Sequence, residues 1–320
     1  MSSASGDGRR EGRKTLFFKV MKTYKPKKSL GQNFLKSEMA LKKIVEAGEI
    51  KPNDMILEIG PGKGALTKKL LEKMSGGGPH SKIIAVEKDR ELFEFLKVKF
   101  EKEISEKKLI LINEDILKFE IRKAISSFWN GLAGGGTQRT EDLRKTLKLL
   151  SRKYKIIANI PYNITGAILK KFLTEKYQPT SMVLMVQHEV AKRIMGRGSN
   201  PSTPLKVKES ILSISVKAYG EPKIIMKVPA RYFSPAPKVD SAIIAIRNIS
   251  RKIFEENKLN ENEFWEIVRA GFAHKRKKLS SNLKILSKNS NYRGVSSVES
   301  LENKRAEDLS LADWILLAKN

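Results

Sequence analysis

Residues 55–74 read MILEIGPGKGALTKKLLEKM. A short apolar run, residues 55–60, passes into the loop Glu58-Ile59-Gly60-Pro61-Gly62-Lys63-Gly64, and an amphipathic pattern follows over residues 65–73. A buried strand, a tight glycine turn and a helix in that order open a βαβ unit. Gly60 and Gly62 let the backbone turn sharply and approach a ligand where a side chain would clash. The spacing is G-x-G-x-G, not the G-x-G-x-x-G of dinucleotide sites. The loop also begins with a carboxylate, Glu58, which would repel a pyrophosphate.

The same alternation continues outward from this stretch. Residues 83–87, 109–113, 155–160 and 182–186 are apolar runs bounded by polar or turn residues, and helical patterns follow most of them, as at 90–103. Residues 223–228 and 240–247 read as two later strands, while residues 211–216 fit a strand or a helix equally well. The fold class expected is α/β, Rossmann-like, with a buried parallel sheet. Glycine clusters at 76–78 and 134–136 mark insertions. Residues 122–153 are long for a strand connection, with a helical pattern at 140–150. Beyond residue 250 the pattern changes to charged amphipathic helices (263–273, 278–286, 309–319), a small all-α domain. The division expected is a basic disordered arm over 1–28, the α/β domain over 29–249 and the helical domain over 250–320.

Three acids or loops end three successive strands: the Glu58–Gly64 loop, Glu87 and Asp115. An isolated acid at a strand end is ordinarily just solvated. In this arrangement Glu87 can chelate a ribose diol and Asp115 can accept a bond from an adenine amine. Glu58 suits a cationic tail. An adenosine with such a tail is S-adenosylmethionine, the cofactor expected. After the fourth strand comes Asn159-Ile160-Pro161-Tyr162. Methylating an exocyclic amine is hard because its lone pair is delocalised, and positive charge builds on nitrogen as the methyl arrives. The Asn159 side-chain oxygen and the Ile160 carbonyl are two acceptors that could stabilise that charge. Pro161 fixes the turn, and Tyr162 offers a ring for an extruded base. Alone, the tetrapeptide could be an ordinary strand-ending turn.

The chain has 320 residues, 63 Lys and Arg against 35 Asp and Glu, and a net charge of +28. Such an excess favours a polyanion, nucleic acid above all. There is no cysteine, and the three histidines are scattered, so no metal site is expected. No apolar run approaches the ~20 residues of a membrane span. Arg9, Arg10 and Arg13 in a Ser-containing start resemble a mitochondrial transit peptide, but Asp7 and Glu11 speak against one, and the cytoplasm is expected. Lys275, Arg276, Lys277 and Lys278 form a basic run, and Lys192, Arg193 and Arg197 a second patch. Both are candidate phosphate contacts, although a charge run is commonly only a solvated face. Phe233 either covers the target base opposite Tyr162 or belongs to the core.

With these motifs in place, the chain resembles the ribosomal RNA adenine dimethyltransferases, and within them the small-subunit branch. The resemblance rests on KSLGQNFL (28–35), the glycine loop, NIPYNIT (159–165), QHEVAKR (187–193), FSPAPKVDS (233–241), FAHKRKKLSSNL (272–283) and RAEDLSL (305–311). It implies a seven-stranded class I methyltransferase sheet with a helical C-terminal domain. It also implies a cofactor site lined by Gln32, Asn33, Leu35, Glu58, Gly60, Gly62, Glu87, Lys88, Asp115, Ile116 and Asn159, and it makes residues 205–219 a helix. The implied substrate is a pair of adjacent adenosines near the 3′ end of small-subunit ribosomal RNA, each dimethylated, in a pre-30S-type particle, by a monomer. The large-subunit dimethylases share the loop and tetrapeptide but not 187–193 or 272–283. His188, Lys275, residues 196–208 and the 122–153 insertion depart from the family pattern and bear on RNA docking. A non-catalytic assembly factor is the rival from another class, and a nucleotide oxidoreductase is disfavoured by the loop spacing.

Overall fold

In the computed structural model, residues 24–76, 81–121, 154–196, 208–287, 301 and 303–319 are described. The opening stretch forms β2 (Met55–Ile59) and α2 (Ala65–Met74) joined by the glycine loop. β3 (Lys82–Glu87), β4 (Leu109–Asn113), β5 (Tyr154–Asn159) and β6 (Ser181–Gln187) follow, with α1 (Glu38–Ala47) ahead of β2 and α3 (Arg90–Lys99) and α4 (Glu101–Ser105) after β3. α5 (Thr165–Thr174) and α6 (His188–Met195) flank β6, and α7 (Ile211–Lys217) leads into β7 (Glu221–Val228) and then β9 (Ser241–Arg247). The sheet order is β4-β3-β2-β5-β6-β9-β7, with β2 to β6 mutually parallel and β9 antiparallel to both its neighbours. Six parallel strands, β7 among them, with β9 inserted antiparallel make the class I methyltransferase sheet.

All five residues of β2 are buried because helices cover both faces, which is why the run is apolar rather than alternating. Leu57, Ile84, Ile156 and Ile244 face Ile168 and Phe172 of α5 and Ile194 of α6. Ile56, Ile83, Ile157 and Ile243 face Leu41 and Ile44 of α1, Leu66 and Leu70 of α2, and Leu96 of α3. Each such leucine or isoleucine removed from water contributes ~2 kcal/mol.

Residues 211–216 are helical, not extended. Ser210 caps the helix, accepting from the Ser213 amide while Ser213 returns a bond to Ser210, and this local exchange decides what periodicity left open. The helix is shorter than the expected 205–219: it runs Ile211–Lys217, residues 208–210 are not helical, and 205–207 lie outside the described residues, as do the 122–153 insertion and Gly134–Gly136. C-terminally come α8 (Lys252–Glu256), α9 (Glu261–Gly271), α10 (Leu279–Ser287) and α11 (Leu311–Ala318), with α10 and α11 packed on α9. Phe254, Phe264 and Trp314 belong to the same continuous core as the strands. Tyr219 stacks on Trp265 with centroids 6.0 Å apart, and Arg251 bridges Glu261 at 2.8 Å.

Two features were not foreseen. β1 (Phe34–Leu35) pairs antiparallel with β8 (Phe233–Ser234), tying the segment before α1 to the loop before β9. And Tyr24 and Lys27, within the stretch where composition suggested an arm, are bonded to Asp89.

Candidate active site

β2 and β5 are adjacent, and the chain runs outward from them in opposite directions, so their carboxyl ends open a crevice. A cavity of about 280 Å³ lies there. Every residue proposed for the cofactor lines it: Gln32, Asn33, Leu35, Glu58, Gly60, Gly62, Glu87, Lys88, Asp115, Ile116 and Asn159, together with Ile160, Pro161 and Tyr162 of the tetrapeptide.

The glycine loop needs its glycines for different reasons. Gly60, Gly62 and Gly64 all have left-handed backbones, with φ of 63°, 59° and 74°. A Cβ at Gly60 would meet only Pro161 Cδ at 3.9 Å, so the loop leaves room on its cavity side. A Cβ at Gly64 would stand 2.6 Å from Phe100, so that glycine serves helix packing instead.

The three acids differ in state. Glu87 is buried; its Oε2 accepts the Gly62 N–H and its Oε1 the Asp89 N–H, both at 2.9 Å. Burial raises its pKa, opposed by those amide bonds. Asp115 accepts the Leu117 N–H at 3.0 Å and pairs with Lys88 Nζ at 2.9 Å, and the lysine holds its carboxyl below the ordinary range. This ion pair was not anticipated. Glu58 is wholly buried, and its Oε2 has no hydrogen-bond partner among the described residues. Burial, first of all, pushes it up to about 8, with Thr67 opposing and the Glu87 charge adding to the rise.

At the end of β5 the Asn159 Nδ2 donates to the Asn33 carbonyl at 3.2 Å. Its donor side is thus engaged, and the amide oxygen is left for the cavity that Asn159 lines. Pro161, at φ −62° and ψ 131°, starts the turn that carries Tyr162. The Tyr162 hydroxyl lies 2.5 Å from Ser241 Oγ, a fully buried serine at the start of β9, and burial raises the phenol pKa.

Phe233, expected either to cover the target base or to belong to the core, is 2% exposed and lies in the α1–α3 side of the core. Pairing with Leu35 in the short β1–β8 ladder turns it inward and leaves Ser234 outside. Lys192 and Arg193 are exposed on α6, which begins at the carboxyl end of β6, and Lys275, Arg276, Lys277 and Lys278 are exposed between α9 and α10. Arg197 lies outside the described residues. Ser241, Asp89 and Tyr24 escaped sequence reading as site residues. Ser241 ends the FSPAPKVDS segment, so a signal existed, but nothing local joined it to Tyr162.

Comparison with known proteins agrees with this geometry. A family model described as ribosomal RNA adenine dimethylase matches residues 23–320. A ribosomal RNA small subunit methyltransferase A from Fusobacterium nucleatum is 35% identical over 92% of this chain and 97% of its own. Among solved structures, a dimethyladenosine transferase from Plasmodium falciparum superposes with a TM-score of 0.64 at 24% identity, covering 89% of this chain and 95% of that one. The 23S rRNA methyltransferase ErmE gives 0.60 at 21%, covering 90% and 98%. These two structural likenesses bear on the fold alone. The match of sequence over nearly the whole described length goes further: the chain belongs to the ribosomal RNA adenine dimethylase family.

Proposed function

We propose that this protein transfers methyl groups from S-adenosylmethionine to the N6 amines of two adjacent adenosines near the 3′ end of small-subunit ribosomal RNA, giving N6,N6-dimethyladenosine in a pre-30S-type particle. The observation that carries the reading is Asn159, its amide donor held by Asn33, lining a cavity shared with the glycine loop. The names of the sequence relatives support the small subunit as target.

The cavity's chemistry fits the cofactor. The open side of Gly60 admits close approach, Glu87 retains lone pairs for a ribose diol, Asp115 offers an acceptor to an adenine amine, and Glu58 suits a cation. Bound there, S-adenosylmethionine supplies an electrophilic methyl group. The protein's own residues do the rest. Asn159 Oδ1 and the Ile160 carbonyl accept the two N–H bonds of the target amine, which orients its lone pair and stabilises the charge that grows on it. The Tyr162 ring, steadied by Ser241, stacks on the extruded base. The amine becomes acidic as it is alkylated and loses its proton to water, so no strong base is needed. The exposed basic groups on α6 and between α9 and α10 contact phosphates and position the RNA.

The test is mass spectrometry of nucleosides from unmodified small subunits incubated with the protein and isotopically labelled cofactor. Dimethyladenosine from two adjacent positions is expected. Asn159→Ala should slow single-turnover transfer ~100-fold or more at saturating cofactor, since losing one preorganised acceptor costs ~3 kcal/mol. A near wild-type rate would refute the charge-stabilisation mechanism.

A further inference from the structure

Lys99, a half-buried cation, stands behind the cavity rather than in its wall. It ends α3, and its ammonium reaches the glycine loop, donating to the Lys63 carbonyl at 2.6 Å. The Phe95 and Phe100 rings flank it, their centroids 5.5 and 5.3 Å from Nζ. Helix and loop are in close contact here: a Cβ on Gly64 would stand 2.6 Å from Phe100 and 2.9 Å from Leu96. Burial, first of all, holds the Lys99 pKa below the ordinary lysine range; the Lys68 charge adds to the fall and Glu58 opposes it. A lysine taken partly out of water in this way needs a partner for its charge. The loop, for its part, is tied from two sides. The Gly62 N–H is held by Glu87 from β3, and the carbonyl of the next residue by Lys99 from α3.

We propose that Lys99 is a positioning residue for the cofactor: it fixes the Lys63–Gly64 peptide from behind the loop, and it is the half-buried counter-charge against which Glu58 ionises when a cationic ligand enters. The inference rests on the methyltransferase reading and assigns Lys99 no contact with the ligand. Both effects follow from its place. Gly62 and Gly64 carry left-handed backbones that glycine leaves as easily as it adopts them, so a loop built on them holds its shape only where it is tied. Lys63 lines the cavity, and a bond on its carbonyl steadies the wall that the ligand meets. The electrostatic effect concerns Glu58, wholly buried on β2. Among the groups that act on its carboxyl, Glu87 from β3 disfavours the charge, while Thr67 from α2 and Lys99 from α3 favour it. Lys99 is the cation among them. Removing it makes Glu58 harder to ionise, and the ligand must then supply more of that cost.

The variants are Lys99→Met, which keeps an unbranched stem against the rings and loses charge and donors, and Lys99→Arg, which restores both. The assay is calorimetric titration with S-adenosylmethionine at pH 6.5, 7.5 and 9, read as the ratio of wild-type to variant affinity, in which titration of the ligand itself cancels. For Lys99→Met the ratio should be about tenfold at pH 9, the loss of one charge-assisted hydrogen bond. It should grow severalfold toward pH 6.5, where Glu58 has to give up a proton to meet the ligand. Lys99→Arg should recover most of both. A lysine that served the fold alone would give one ratio at every pH, and that result overturns the proposal, as does a ratio near one. A measurement on the unaltered protein guards against a misfolded variant. Coupling is reciprocal, so bound cofactor must protect the bond that favours it. Acetylation of Lys99 by acetic anhydride, followed by mass spectrometry, should slow about tenfold at saturating S-adenosylmethionine, with exposed Lys97 unaffected. Unslowed labelling of Lys99 in protein that binds the cofactor overturns the proposal alone. No heat of binding in the wild type overturns the cofactor reading as well.

Discussion

Glu58 offers the most direct physical test of the site. It is the fourth residue of the central strand β2, and its side chain points to the face covered by α2. Burial pushes its pKa from the ordinary 4.5 up to about 8, with the Thr67 bond opposing, the Glu87 charge adding and Lys99 relieving a little. A carboxyl with a raised native pKa keeps its proton where the unfolded chain has lost it. Its contribution to stability is therefore complete below 4.5, falls as pH climbs to about 8, and is constant above. At ~1.4 kcal/mol per pH unit, that interval corresponds to at most ~5 kcal/mol. Glu58→Gln cannot ionise. Urea denaturation of both proteins at pH 5, 6.5, 8 and 9 should show the variant gaining on the wild type by several kcal/mol between pH 5 and 8, then no further. Other titrating groups cancel in the difference. Cofactor affinity should move oppositely: a cation beside Glu58 favours the ionised form, so wild-type affinity should rise with pH through the same window while the variant's stays flat. A stability difference that is equal at pH 5 and pH 8 would refute the buried, strained carboxyl.

Two further outcomes are expected. Tyr162→Phe should reduce the rate about fivefold by removing the hydroxyl contact with Ser241, worth ~1 kcal/mol; Ser241→Ala should do the same, and the double variant should be no worse in single-turnover kinetics. Replacing Lys275, Arg276 and Lys277 together by Ala should lower the slope of log RNA affinity against log salt by up to ~2, and an unchanged slope would make the run a solvated face.

The strand–glycine–helix unit was fully legible because strong local rules agree there: an apolar run, left-handed glycines and a helical period. The buried strands were legible for the same reason, and their ends shift by a residue or two, as where polar Ser181 and Gln187 join the ladder and where Tyr154 replaces Ile160 at the ends of β5. What sequence could not supply was the partner of each group. Asp89 is readable as a helix cap, but its bonds to Tyr24 and Lys27 span 65 and 62 residues, and Tyr24 lies where composition resembles a solvated arm. Phe233 faces inward because two residues pair with two others about 200 positions earlier. Nothing within the F-S-P-A-P segment announces that choice. Asp115 was read as an acceptor ending a strand; it lies just past β4, which stops at Asn113, and the lysine following Glu87 pairs with one of its oxygens.

The three acids show why strand-end position alone underdetermines chemistry. Three ionised carboxylates in one 280 Å³ cavity would repel each other strongly in a medium that screens poorly. The fold relieves the conflict differently at each. Asp115 stays charged because Lys88 sits beside it, at the rim where side chains remain partly exposed. Glu87 receives two backbone amides, which oppose the rise in pKa that burial imposes. Glu58 gets no such partner for Oε2 and keeps its proton at neutral pH instead. Glu58 therefore has charge still to gain, and what would draw it out is a cation brought into the cavity. A neutral nucleoside would leave it protonated; a ligand with a positive tail would not. The pH window of Glu58 is thus a signature of the ligand's charge as much as of the protein's burial, and the same titration that measures one reads the other.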